Sequence, residues 1–369
     1  MIHVSKNSKI LLAFLFLIIL VTLCVSIFGW ETWSIFGVPS NNFPFGDFKI
    51  IQVSSELAAK GINPYLHNLD DIPQMNYPPI WIEISNLFNL IKHPNSLIFV
   101  SISIILYTII YVDIIKITQS YIPILFFFSG SSLLLIERGN NDLLIIFLVY
   151  IISKDYKILT TISYCFSVVL KIYPIVIFPL IIIKNKFRIF ILVPILIYLF
   201  YIQDSLSIFL KNTPKSASTS YGTNTMSIIL ERYLDVEINF IVISILFLIL
   251  TASFYKFFFE NHIRESNEKT QNLFIYGSSI LCFTFLITSN WDYRLSFLIL
   301  CVPYILLQKK NVYLCFIISS VIAMHFNILF LLFGKIGALI NLLSKITLFT
   351  MLFSFTYHII LEKFTKLFK

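Results

Sequence analysis

The stretch ILLAFLFLIILVTLCVSIF, residues 10–28, follows Lys6 and Lys9 near the start of the chain. It is longer than the apolar core of a signal peptide and lacks a small-residue cleavage site, so it is expected to remain as a first membrane span. Comparable apolar runs of about 20 residues recur along the sequence, the pattern of a polytopic helical membrane protein. A transmembrane β-barrel would instead show alternating segments of about 10 residues. Of the 369 residues, 58% are hydrophobic and 12% charged, whereas soluble domains carry about 25% charged residues. The fold class expected is therefore all-α, a bundle of about 12 transmembrane helices (about 10–13) in one integral-membrane domain over 1–369. Within it, 1–30 is the first span, 31–79 a long loop and 80–369 the remaining spans.

The net charge of +8 comes from Lys and Arg clustered in short loops. Such clustering reports topology rather than nucleic-acid binding, because Lys and Arg are enriched on the cytoplasmic side. The marks are Lys154-Asp155-Tyr156-Lys157, Lys184 to Arg188, Lys256 to Lys269, Lys309-Lys310 and the tail with Lys363, Lys366 and Lys369. The loop from Glu31 to Pro79 holds five acids (Glu31, Asp47, Glu56, Asp70, Asp71) against Lys49 and Lys60, so it is expected outside, with both termini inside. Keeping the basic loops on one side folds Ile158–Ile183 into two half-length passes, with Lys171-Ile172-Tyr173-Pro174 at their outer turn. In the same way, Ile122–Ile136 and Leu143–Ser153 flank an outer turn at Glu137–Asp142. Ile80–Ile91 and Ser96–Ile115 leave two choices open: either the first piece is re-entrant, or Lys116 lies outside.

This topology collects four polar groups on the outer side. Asp47 precedes a stretch, Phe48–Lys60, whose Ile50, Ile51, Leu57 and Ala58 share one face, as in an amphipathic helix on a membrane surface. Its carboxylate is either a helix N-cap or a functional base. Asp70 and Asp71 read as solvated loop charges. Tyr77-Pro78-Pro79 is either a stiff helix entry or, through Tyr77, one wall of a groove for lipid or sugar. Glu137-Arg138 is either an internal salt bridge or a phosphate site. Lys171 is either a snorkelling lysine or a phosphate ligand, and Arg294 beside Asp292 has a similar pair of readings. The cysteines Cys24, Cys165, Cys282, Cys301 and Cys315 lie in apolar runs and read as small buried hydrophobes. No Cys or His pair has metal-ligand spacing, so neither a metal nor another cofactor is expected.

In this order, Gly46-Asp47, Gly61–Tyr65, Tyr77-Pro78-Pro79, Gly139-Asn140-Asn141, Lys171–Pro174 and Asn290 with Asp292-Tyr293-Arg294 resemble the GT-C type integral-membrane glycosyltransferases. The chain is most similar to the glycosyltransferase 87 (DUF2029-like) polyprenyl-phosphate-sugar mannosyltransferases, over about Trp30–Pro303. It departs from them where Arg138-Gly139-Asn140 replaces the usual Gly-Gln before the hairpin Asn. The first loop also has no Asp-x-Asp. The resemblance implies an inverting hexosyltransferase of the cell membrane, acting in surface polysaccharide biosynthesis with its active site outside. It would move a mannose-like hexose from a polyprenyl-phosphate donor to a lipid-linked or surface-glycan acceptor. Asp47 would be the general base, and Lys171, Arg294 and Arg138 would bind the donor phosphate. Tyr77, Asn140, Asn141, Tyr173, Trp291 and Asp292 would line the substrate. A polysaccharide polymerase or ligase and a multi-span transporter are the rival readings; the transporter lacks support from any visible internal repeat.

Overall fold

The computed structural model describes residues 5–40, 43–67, 72–184, 186–213, 220–234, 237–254, 266–287 and 290–367. Asp70 and Asp71 lie outside the described residues, as does most of the Lys256–Lys269 loop. Helices α1 (Lys6–Phe28), α2 (Gly46–Ala59), α3 (Ile80–Leu87), α4 (His93–Thr118), α5 (Ile122–Phe127) and α6 (Gly130–Glu137) come first. The middle of the chain holds α7 (Asp142–Ser153), α8 (Lys157–Leu170), α9 (Phe178–Lys184), α10 (Leu192–Asn212) and α11 (Thr223–Leu234). The last are α12 (Phe240–Phe254), α13 (Glu268–Ile287), α14 (Leu298–Ile305), α15 (Lys310–Met324) and α16 (Phe326–Leu367). A two-residue antiparallel ribbon joins β1 (Ser220–Tyr221) to β2 (Asn290–Trp291).

Among the described residues, five helical stretches are long and apolar enough to cross a membrane: Lys6–Phe28, Pro94–Thr118, Arg188–Ile208, Glu268–Ile287 and Phe326–Lys363. Leu12, Phe16, Ile19, Leu23 and Ile27 of α1 are exposed. In water they would form a large apolar patch, whereas in lipid such a face is ordinary. At 1.5 Å per residue, α7 and α8 reach only about 18–21 Å, short of a hydrocarbon core of about 30 Å. α3, at about 12 Å, is shorter still. Ile80–Ile91 comprises this short helix and the turn that follows it.

The chain forms two compact units. One comprises Met1–Pro39, Tyr111–Leu134 and Lys215–Lys369. Its core packs α13 against α14 and α16, with Phe274 tilted against Tyr304 (ring centroids 4.6 Å apart) and Phe285 stacked on Phe349 (4.1 Å). Helix geometry within α16 is broken at Gly334 (φ 54°, ψ −130°).

The other unit comprises Ser40–Ile110 and Leu135–Pro214. α7 packs on α8 in an antiparallel hairpin, and α2 packs on α3. The sequence predicts that α2 lies on a membrane surface with a polar face outward. It is instead buried on most of its circumference, at Phe48, Ile50, Ile51, Gln52, Val53, Ser54, Ser55 and Leu57. Its polar positions tolerate burial because they find backbone partners. Gln52 Nε2 donates to Leu90 O at 2.9 Å, and Ser55 Oγ donates to Ile51 O at 2.8 Å. Satisfied small polar side chains cost little inside a protein, so the periodicity of Ile50, Ile51 and Leu57 marked only part of the buried face.

Candidate functional site

The site grows from the contact between the start of α2 and the turn joining α6 to α7. Both Asp47 N and Phe48 N, at distances of 3.0 and 3.4 Å, donate to Arg138 O. The first amides of a helix have no partner inside it, so this single carbonyl anchors the helix end. Close approach demands a residue without a side chain at Gly139, whose φ is +56° and whose added Cβ would lie 2.9 Å from Phe45 Cβ. Two motifs some ninety positions apart, Gly46-Asp47 and Gly139-Asn140, therefore interlock.

Asp47 is the second residue of α2. The position before the helix is Phe45, and no side chain caps that end. The Asp47 carboxylate turns to Asn140 instead, whose Nδ2 donates a hydrogen bond to Oδ2. Asn140 is fixed from every side. Its Oδ1 accepts from Asp142 N and from Lys171 Nζ, each at 2.9 Å, while Nδ2 also reaches the Tyr77 hydroxyl at 3.4 Å. Two donors facing Oδ1 settle the orientation of the amide.

Lys171 follows α8, in extended backbone, and is buried. Its ammonium lies 2.6 Å from Asp142 Oδ1 and 5.5 Å from the centre of the Tyr77 ring. The Tyr173 hydroxyl donates to the same Asp142 oxygen at 2.7 Å. Lys171 thus neither snorkels to an interface nor points at solvent; it is the partner of a buried acid. Asp142 is the residue to which the sequence reading gave no role. The signal was available, because a lysine in an apolar segment needs an acid nearby.

Tyr77 is buried and its carbonyl accepts from the Tyr65 hydroxyl at 3.0 Å. Trp81, the second residue of α3, donates from Nε1 to Leu170 O at 3.1 Å. That bond pins the Tyr77-Pro78-Pro79 entry beside the end of α8. Asn141, at the start of α7, is buried, and its Nδ2 has no hydrogen-bond partner among the described residues. Arg138 pairs with buried Glu137 (Nε to Oε2, 3.1 Å), the internal salt bridge that was one of its two readings.

Asp47 keeps a partly accessible surface. Removal from water lifts its carboxyl above the usual carboxylate range. The positive field of Arg138, the Asn140 hydrogen bond and Lys171 pull the other way, and Asp142 adds to the lift. The result is a carboxylate with raised proton affinity, held in one orientation, which is what a general base requires.

Trp291, Asp292 and Arg294 belong to the other unit. Trp291 lies in β2, and Arg294 in the 3-10 turn Asp292–Phe297. Asp292 is buried against Lys345 of α16, whose Nζ lies 2.8 Å from Oδ1 and 2.9 Å from Oδ2 and donates to Ser220 O at 3.0 Å. Lys345 thereby ties both strands of the ribbon, β1 directly and β2 through the residue that follows it. Among the described residues, no group of His, Cys, Asp and Glu is arranged to hold a metal. Compared with protein families, curated proteins and solved structures, the chain matches none.

Proposed function

We propose that the chain is an inverting membrane hexosyltransferase with Asp47 as its general base. In this reading it uses a polyprenyl-phosphate sugar as donor and a lipid-linked or surface glycan as acceptor. The carrying observation is half-buried Asp47, its carboxylate oriented by a fully engaged Asn140 and backed by the Lys171–Asp142–Tyr173 cluster. Asp47 takes the proton of the acceptor hydroxyl as its oxygen bonds to the anomeric carbon. The bond from that carbon to the phosphate oxygen breaks, and polyprenyl phosphate leaves with the electron pair. The charge developing on the leaving phosphate needs a cation. Arg138 takes first place here. Its field on Asp47 is the strongest among the cations, and its guanidinium is more exposed than the buried Lys171 ammonium. Lys171, engaged by Asp142 and Asn140, serves instead to hold Asn140 and through it Asp47. Arg294, Trp291 and Asp292 are given no step.

The accompanying topology has about 12 crossings, both termini inside and the Asp47 end of the α7–α8 hairpin facing out. It is supported by the opposite end of that hairpin, which carries the basic turn Lys154–Lys157.

The test is transfer in proteoliposomes with a polyprenyl-phosphate hexose donor. Asp47→Asn is expected to insert normally and lose about 10²–10⁴-fold in kcat. Arg138→Gln is expected to raise KM for the donor more than for the acceptor. Near-normal turnover by Asp47→Asn would remove the base assignment. Solute uptake without transfer would favour a transporter.

A further inference from the structure

The far end of the α7–α8 hairpin carries a second cluster, which the proposed reaction does not use. The turn after α7 puts Asp155 in the left-handed region (φ 58°). Its carboxylate reaches the last residue of α9 and the segment that follows it. Oδ1 accepts from Arg188 at 2.9 Å and Oδ2 from Lys184 at 3.2 Å. Burial alone would raise this carboxyl, but Arg188 and Lys184 outweigh it and hold the group below the usual carboxylate range. Two basic turns, distant in sequence, thus meet on one charged acid.

Around that acid the positive charge is in excess. Lys154 lies over the Tyr150 ring at 4.3 Å, and Lys157 is exposed at the start of α8. Asp155 is the single acid in the sequence between Lys154 and Arg188, a stretch that also holds Lys157, Lys184 and Lys186. Beside these cations stand exposed Tyr156, Ile158, Ile189 and Phe190. Cations flanked by exposed aromatic and aliphatic side chains mark the boundary between water and lipid. There, lysines attract anionic head groups at about 1 kcal/mol each.

We propose that this end of the hairpin is a binding site for an anionic phospholipid. The head-group phosphate sits among Lys154, Lys157 and Lys184, and the acyl chains run along Ile158 and Phe190. Asp155 and the buried Arg188 keep Lys184 turned toward the phosphate. A soluble phosphate would meet the charge but leave the apolar flank uncovered, so the occupant is a lipid. The inference is independent of the reaction assigned to Asp47.

The test is native mass spectrometry of the delipidated full-length protein, titrated with phosphatidylglycerol or phosphatidylcholine. Wild type is expected to retain phosphatidylglycerol preferentially. Lys154→Gln/Lys157→Gln is expected to bind it roughly thirtyfold more weakly, two charges at about 1 kcal/mol each, with phosphatidylcholine unchanged. Lys154→Arg/Lys157→Arg keeps the charges and should keep the preference, which separates loss of the site from loss of the fold. Glycerol phosphate, a head group without chains, should fail to compete. Equal retention of the two lipids by wild type would overturn the proposal. An equal loss in Lys309→Gln/Lys310→Gln, a basic turn elsewhere in the chain, would overturn it as well, since the effect would then be general charge. Full competition by glycerol phosphate would show a soluble-anion site instead.

Discussion

Substituting alanine at Gly139 tests the contact on which the Asp47 site depends. Two costs are separable there. A left-handed backbone, φ +56° at Gly139, costs a non-glycine residue about 1–2 kcal/mol. The added Cβ would also sit 2.9 Å from Phe45 Cβ, where carbon pairs normally rest about 3.5–4.0 Å apart. Phe45 Cβ is attached directly to the backbone and cannot rotate away, so the start of α2 must retreat by up to about 1 Å. Overpacking of this kind costs about 1–3 kcal/mol, for a total of about 2–5 kcal/mol. Gly61 supplies the internal control. Its φ is +75°, and an added Cβ there meets nothing within 4 Å, so Gly61→Ala is expected to cost only the backbone part, about 1–2 kcal/mol. Denaturant unfolding of both variants in detergent measures the difference. In the transfer assay, Gly139→Ala should also lose up to about 10²-fold, because a displacement near 1 Å of a positioned catalytic group is that costly. Equal destabilisation by the two substitutions would show that the α6–α7 turn does not abut α2, and the interlocked site would be refuted.

Two further outcomes follow from the charges. With its carboxyl raised, Asp47 acts as a base only above its folded-state pKa, so the acid limb of kcat against pH should lie above the ordinary aspartate value of about 3.9. Arg138→Gln should move the limb higher still. Because the folded state binds the proton more tightly, this group makes stability fall as pH rises from about 3.9 to the raised pKa, which denaturation at a series of pH values can follow. In the other unit, Lys345→Met leaves Asp292 buried without its cation and should cost about 3–5 kcal/mol. Adding Asp292→Leu should restore most of that, and a double variant as unstable as the single would mean that Lys345 acts through Ser220 O rather than through the ion pair.

The helical character of the chain, with stretches long and apolar enough to cross a membrane, was legible because hydrophobic runs such as residues 10–28 report their own environment. The helix built on that run starts at Lys6, where Ser5 Oγ accepts from Ser8 N at 3.2 Å and caps it. Asp47, Tyr77, Asn140, Lys171 and Tyr173 could be picked out as a group because each is a polar residue at the edge of an apolar segment. What each one touches was not legible. Lys171 was expected to bind phosphate, and its ammonium lies against Asp142; Asp292 was expected to line the substrate, and its carboxylate lies against Lys345. Both internal partners went unseen for the same physical reason. A charge in an apolar segment implies an opposite charge somewhere, but single-residue reasoning assigns that role to a ligand when the internal partner is distant in sequence. Lys345 shows how the inference could be strengthened. It lies inside a long apolar helix, where a lone ammonium is too costly to leave unmatched, so the sequence already required a buried acid for it. Matching each embedded cation to an embedded acid before assigning any to substrate would have paired Lys171 with Asp142. The partly open Asp47 would then have stood out as the carboxylate whose embedded cation was still to be found, next to Arg138.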